Sequence, residues 1–98
     1  MAEDGKIKSV HLMVEGRVQA VGFRYFTWQT AQSFDITGWV RNREDGSVEI
    51  AAEGAADHVD HFVQSIKKGS TFSRVKHVDV HEYDHAEHYA SFDILNSI

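Results

Sequence analysis

An α+β sandwich built in the order βαββαβ is the fold class that this 98-residue chain predicts, and three observations carry it. Two segments place apolar residues at helical spacing, the segments around them alternate at the period of half-buried strands, and a turn signal joins the two middle strands. Chains with that order usually form an antiparallel sheet with both helices on one face.

The first strand spans Ile7 to Val14, with Val10, Leu12 and Val14 on one face and Ser9, His11 and Met13 on the other. Phe23, Phe26, Thr27, Thr30, Ala31 and Phe34 then recur at helical spacing, which predicts a helix over roughly Gly22 to Phe34 with one apolar face. Ile36 to Arg43 reads as the second strand. The stretch REDGS carries Asp45 and Gly46, a common hairpin pair, and Val48, Ile50 and Ala52 alternate after it with Glu49 and Glu53. Gly54 opens a second helix in which Val59, Phe62, Val63 and Ile66 share a face, Asp57 lies near the start, and Lys67, Lys68 and Gly69 close the end. Val75 to Tyr83 forms the fourth strand. Past the polar DHAEH, Phe92, Ile94 and Leu95 predict a short edge strand. The whole is a ferredoxin-like sandwich, read as one domain of residues 1–98 with its core over about 7–95.

Composition narrows the function. A formal charge of −5 argues against a nucleic-acid binder, whose affinity comes largely from Lys and Arg on phosphates, yet it leaves a small anionic ligand open. No apolar run approaches the roughly 20 residues of a membrane span. The segment MAEDGKIKSV lacks the character of a signal peptide, so a soluble cytoplasmic protein is expected, with a monomer the simplest state. With no cysteine there is no disulfide, thiolate metal site or cysteine nucleophile.

The predicted topology brings two distant segments to one sheet edge. Strands one and two run parallel with strand three between them, so the loop after strand one and Asn42 lie about two strand spacings apart, roughly 10 Å. A strand-to-helix loop is a place where free backbone amides and the helix dipole favour an anion. The segment Gly16 to Val21 holds no acid to repel one, and Arg24 follows just inside the helix, with a guanidinium suited to two phosphate oxygens. The glycine spacing fits neither a Walker loop nor a dinucleotide fingerprint. Spacing alone leaves two readings open, a chain reversal beside a surface arginine or a phosphate cradle.

GRVQAVGFR and GWVRNREDGSVEIAAEG resemble the two signature segments of the acylphosphatase family. The first matches the pattern GxVQGVxFR except at Ala20, where the family places Gly; the second, from Gly38 to Gly54, matches throughout. The resemblance implies a ferredoxin-like enzyme, without a cofactor or metal, that hydrolyses acyl phosphates to a carboxylate and inorganic phosphate. It implies Arg24 and Asn42 as catalytic residues and Gly16, Arg17, Val18, Gln19, Ala20 and Val21 as the phosphate-binding loop. Such a site makes chemical sense, because a carboxylate leaves without a general acid and the transition state chiefly needs its oxygens held and a water aligned. If Ala20 has positive φ, its Cβ costs roughly 1 to 2 kcal/mol or tilts an amide away from the anion. The alternative is therefore a phosphate-binding module with hydrolysis impaired at Ala20.

Other candidates carry less. His58 with His61 and His85 with His88 lack a third ligand at suitable spacing, so solvated histidines are the simpler reading. Trp39 reads as packing, and Arg17, Arg41 and Arg43 as surface charges near the site. An RNA-reading sheet is disfavoured, because its outward positions would include Ser9, His11, Glu49 and Glu53 rather than exposed aromatics.

Overall fold

A computed structural model describes residues 6–98. The elements follow the expected order: β1 (Ile7–Arg17), α1 (Phe23–Ser33), β2 (Thr37–Asn42), β3 (Val48–Ala55), α2 (Ala56–Lys68), β4 (Arg74–Tyr83) and β5 (Phe92–Ile94). The sheet order is β4-β1-β3-β2-β5. Its four main strands are antiparallel, whereas β5 joins β2 in parallel, so the sheet is mixed at that edge.

Alternation in β1 buries Val10, Leu12 and Val14 completely, and the apolar stripe of α2 buries Val59, Phe62, Val63 and Ile66 against them. Ile50, Ala52 and Val48 of β3, Val40 of β2, and Phe23 and Ala31 of α1 complete the core. Burying such side chains is worth about 1.5 to 3 kcal/mol each for the larger ones, and this drives the two helices onto one face. The basic pair Lys67 and Lys68 closes the last turn of α2, and Asp57 lies in its first, both as the helix dipole favours.

Three details differ from the sequence reading. β1 runs on past Val14 to Arg17 through a bulge at Glu15/Gly16, where Gly16 has φ 131 and a Cβ would collide with the carbonyl of Arg74. Gly54 does not open α2; it is a ladder residue of β3 opposite Lys8, and the helix begins at Ala56, whose N–H donates to the Lys6 carbonyl at 3.2 Å.

The third difference is larger. Ser9, Glu49 and Glu53 point away from the helices as predicted but are buried, with 3%, 8% and 5% of their surface exposed. Glu49 is enclosed by Arg41, Arg43 and His11, whereas for Glu53 the cause is topological. β4 and β5 form opposite edges of the sheet, so the chain between Tyr83 and Phe92 must cross from one edge to the other. It crosses on the helix-free face, where the Glu53 carboxylate accepts the backbone N–H groups of Glu87 at 2.6 Å and His88 at 2.8 Å. Part of the face that an RNA reader would present is thereby covered.

Candidate functional site

β1 and β2 run parallel on either side of β3, so the exit of β1 and Asn42 meet at one sheet end, as the topology predicted. Between Arg17 and Phe23 the chain turns sharply. Val18 plugs the core beneath the turn, fully buried. Ala20 and Gly22 both take left-handed backbone, with φ 61 and φ 75. For Gly22 this costs little; for Ala20, an L-residue in that region costs roughly 1 to 2 kcal/mol.

This path leaves donors free. The first intrahelical bond of α1 runs from the Phe26 N–H to the Gly22 carbonyl at 3.0 Å, and no side chain among the described residues caps the helix. Among the described residues the backbone N–H groups from Ala20 to Tyr25 reach no protein acceptor. Successive amides in and around left-handed turns form a concave anion nest, and the positive end of the α1 dipole lies behind it. No acidic residue occupies the first turn of α1.

The side chains converge on the same point. A cavity of about 230 Å³ is lined by Val18, Ala20, Gly22, Phe23, Arg24, Tyr25, Asn42 and Ile94. Arg24 is half-buried, and its Nη1 donates to the Leu95 carbonyl at 3.2 Å, just after β5. That bond restrains the guanidinium at the cavity wall. Asn42 ends β2 with its side chain on the helix face, and its Oδ1 is buried without a hydrogen-bond partner among the described residues. A buried amide oxygen left bare costs about 1 to 3 kcal/mol, so its position calls for a ligand or water that donates to it.

The remaining loop residues stand elsewhere. Gly16 and Arg17 are β1 residues, paired with Val75 and Arg74, and neither lines the cavity. Gln19 turns its amide away, its Nε2 donating to the carbonyls of Arg43 at 2.7 Å and Ser47 at 2.8 Å, which ties the loop to the β2–β3 hairpin. Val21 packs against the core. The cavity therefore draws Val18, Ala20, Arg24 and Asn42 from the predicted set and adds Gly22, Phe23, Tyr25 and Ile94. Ile94 and the Leu95 carbonyl were missed because β5 reaches the site only by pairing alongside β2, a non-local event that leaves no spacing signal.

Behind the site, on the helix-free face, Glu49 organises the end of β2. Its carboxylate accepts from Arg41 Nε at 2.9 Å, Arg43 Nη1 at 2.9 Å and His11 Nε2 at 2.6 Å. Burial alone pushes this carboxyl upward, but the hydrogen bonds from His11, Arg41 and Arg43 together outweigh it and hold the pKa at about 2. Arg41 also stands 4.8 Å over the Trp39 ring. Arg41 and Arg43 are thus engaged with Glu49, contrary to the reading of both as surface charges. The residues on either side of Asn42 are both clamped.

No group of three metal-binding side chains occurs among the described residues. His61 stacks on Phe34, and His85 pairs with Asp84 and Glu87, which raise its pKa. No described helix is long and apolar enough to cross a membrane.

Comparison with known proteins adds an independent line. The acylphosphatase family profile matches residues 10–94. An acylphosphatase of Bacillus licheniformis is 48% identical over 83 residues, spanning 85% of this chain and 92% of that protein. One from Salinibacter ruber is 42% identical over 92 residues, spanning 94% and 97% of the two chains. The crystal structure of acylphosphatase from Bacillus subtilis superposes with a TM-score of 0.87 at 42% identity, covering 92% of this chain and 99% of that one.

Proposed function

Since the chain belongs to the acylphosphatase family, and so to enzymes that hydrolyse acyl phosphates, we propose that the cavity at the end of β1 and β2 is its active site, with Arg24 and Asn42 as the catalytic side chains. The observation that carries this reading is convergence: Ala20, Gly22, Phe23, Arg24, Tyr25 and Asn42 line one small cavity, and among the described residues they bring backbone amides without an acceptor, a guanidinium and an amide oxygen without a partner.

The phosphoryl group sits in the amide nest, where its oxygens accept the backbone N–H bonds and Arg24 adds a charge-assisted pair. Asn42 Oδ1 accepts a hydrogen bond from a water and aims its oxygen at phosphorus. As the water oxygen bonds to phosphorus, the bond from phosphorus to the carboxyl oxygen breaks, and the carboxylate leaves with that electron pair. No carboxylate or imidazole lines the cavity among the described residues. The proton of the water therefore passes to a phosphoryl oxygen, and the products are a carboxylate and inorganic phosphate. Positioning and charge stabilisation replace acid–base chemistry here.

Ala20 bears on the alternative of a binding module with poor turnover. Its φ of 61 is the left-handed geometry that glycine would supply, so the adjoining amides keep the nest and the added Cβ weighs on stability rather than on rate. Hydrolysis of benzoyl phosphate by the wild-type chain and by Arg24→Ala tests the reading. Removing a preorganised donor of this kind is expected to lower kcat/KM by a hundredfold or more. Equal turnover by the two proteins rules out the assignment of Arg24.

A further inference from the structure

We propose that the free edge of β4 pairs with the β4 of a second copy of this chain, antiparallel about a two-fold axis at Val78, so that two molecules share one continuous sheet.

The two edges of the sheet are finished differently. At one, β5 is three residues long, and the chain beyond it stays on β2 through N–H bonds from Leu95 to the Val40 carbonyl at 2.8 Å and from Ile98 to the Asn42 carbonyl at 3.1 Å. At the other, β4 runs for ten residues and has β1 as its one neighbour in the sheet. Alternate residues of β4 therefore turn their N–H and C=O groups outward, the arrangement to which another strand adds. No proline in the chain blocks such a ladder. Nor does α2 cover the edge: a groove lined by Val63, Gln64 and Lys67 separates the helix from Val80, which is left 45% exposed.

Charge is the usual guard of an exposed edge, and it works by repelling a second copy. The charges of β4 instead complement one. The strand reads RVKHVDVHEY, with Arg74 and Lys76 near its start and Glu82 near its end. An antiparallel copy sets start against end. With the axis at Val78, Arg74 falls opposite Glu82 of the second copy and His77 opposite Asp79, and each pair is made twice. The β1 ladder skips Lys76 at the bulge, and this ammonium lies on the diagonal to the same Glu82. Glu82 is loosely held in its own chain, 3.9 Å from Lys8. Asp79 already accepts from His77 Nε2 of its own chain at 2.9 Å, so pairing gathers two imidazoles and two carboxylates into one alternating cluster. On the helix side, opposite Val14 and Leu12 of β1, Val78 meets Val78 with Val80 of each copy on the diagonals. Moving the axis by one residue sets His77 against His77 or Asp79 against Asp79, so the pattern favours Val78. No residue of β4 lines the phosphate cavity, and both cavities stay open in the pair.

Because the chain holds no cysteine, a single one placed on β4 cross-links with its own copy alone. In a scan of single cysteines from Lys76 to Glu82 under mild oxidation, Val78→Cys should form covalent dimer fastest, since self-opposed residues fall within the roughly 4.4–6.8 Å that a disulfide spans between Cα atoms. The two copies of Val80→Cys lie roughly 13 Å apart along the strands and should react more slowly. Phe72→Cys, exposed and outside the strand, sets the rate of random collision. A fastest reaction at any other position, or none above the Phe72→Cys rate, overturns the proposal. Sedimentation velocity of the unmodified chain provides the second measurement, with dimer growing as concentration rises. Glu82→Lys and the double variant Arg74→Glu with Lys76→Glu should each weaken the dimer by about tenfold or more, and mixing the two proteins should restore it, because the opposite charges then meet again. Hydrolysis of benzoyl phosphate should be unchanged in all of them. A chain that sediments as a monomer at every concentration, or variants that associate as the wild type does, would refute the pairing.

Discussion

The end of β2 has two faces, and they are built on opposite terms. Toward the helix-free side, Arg41 and Arg43 close on Glu49 with His11, and the buried carboxylate receives three hydrogen bonds. Toward the helices, and among the described residues, Asn42 presents a buried oxygen with no partner, the amides from Ala20 to Tyr25 lack acceptors, and Ala20 holds a left-handed backbone. One strand alternates between the two. At this end of β2 the unmet groups lie on the side proposed for phosphate, and the satisfied cluster behind them holds the strand in place. This is the division expected where a site keeps polar groups unmet for its ligand and rigidity is supplied nearby.

Substitutions at the two faces should therefore fail in different currencies. The largest effect is expected at Asn42→Ala, with a kcat loss of about a hundredfold, from the roughly 3 kcal/mol that one preorganised group contributes. Its melting temperature should hold or rise, because a buried unpartnered oxygen is removed. Parallel loss of activity and stability in steady-state kinetics and thermal melts would break the contrast.

Glu49→Gln should do the reverse. Its folded pKa of about 2 lies below the ordinary carboxylate value, so the stabilisation is fully present above about pH 4.5 and is lost as pH falls toward 2. At neutral pH the variant is expected to lose on the order of 2 kcal/mol, or about 10 °C in melting temperature. Its unfolding free energy should then be flatter than the wild type's between about pH 4.5 and 2. Denaturant titrations across that range check the sign. At a temperature where both proteins are folded, the affinity for phosphate should be unchanged.

Ala20→Gly gives the smallest effect and the finest test. Relief of the left-handed Cβ should stabilise the fold by about 1 kcal/mol, or about 5 °C, and leave kcat within about threefold. A large rate gain in benzoyl phosphate hydrolysis would instead show that Ala20 distorts the cradle.

Where contacts are local, the sequence announced them. The alternation of Val10, Leu12 and Val14 and the helical stripe from Val59 to Ile66 became core residues because a strand or helix has one periodicity and one buried face. Arg24 and Asn42 were legible through the two signature segments, and their meeting followed from β1 and β2 being parallel neighbours of β3. What stayed hidden was carried by backbone or by distant chain. Glu49 and Glu53 looked solvent-facing from alternation alone; local sequence could not reveal the crossing from Tyr83 to Phe92 or the clamp on Glu49. Similarly, a carbonyl such as that of Leu95 has no side-chain signature, although it restrains Arg24. Gln19 belonged to the signature, yet only the fold shows its amide bracing the hairpin.

Titration of the isotope-labelled protein with inorganic phosphate, followed by amide NMR, tests the proposed cradle most directly. The amides from Ala20 to Tyr25, with the Arg24 and Asn42 side-chain N–H signals, should show the largest saturable shifts, and Arg24→Ala should abolish them at the same phosphate concentrations. Shifts centred on Arg41 and Arg43, or none between Ala20 and Tyr25, would contradict the account.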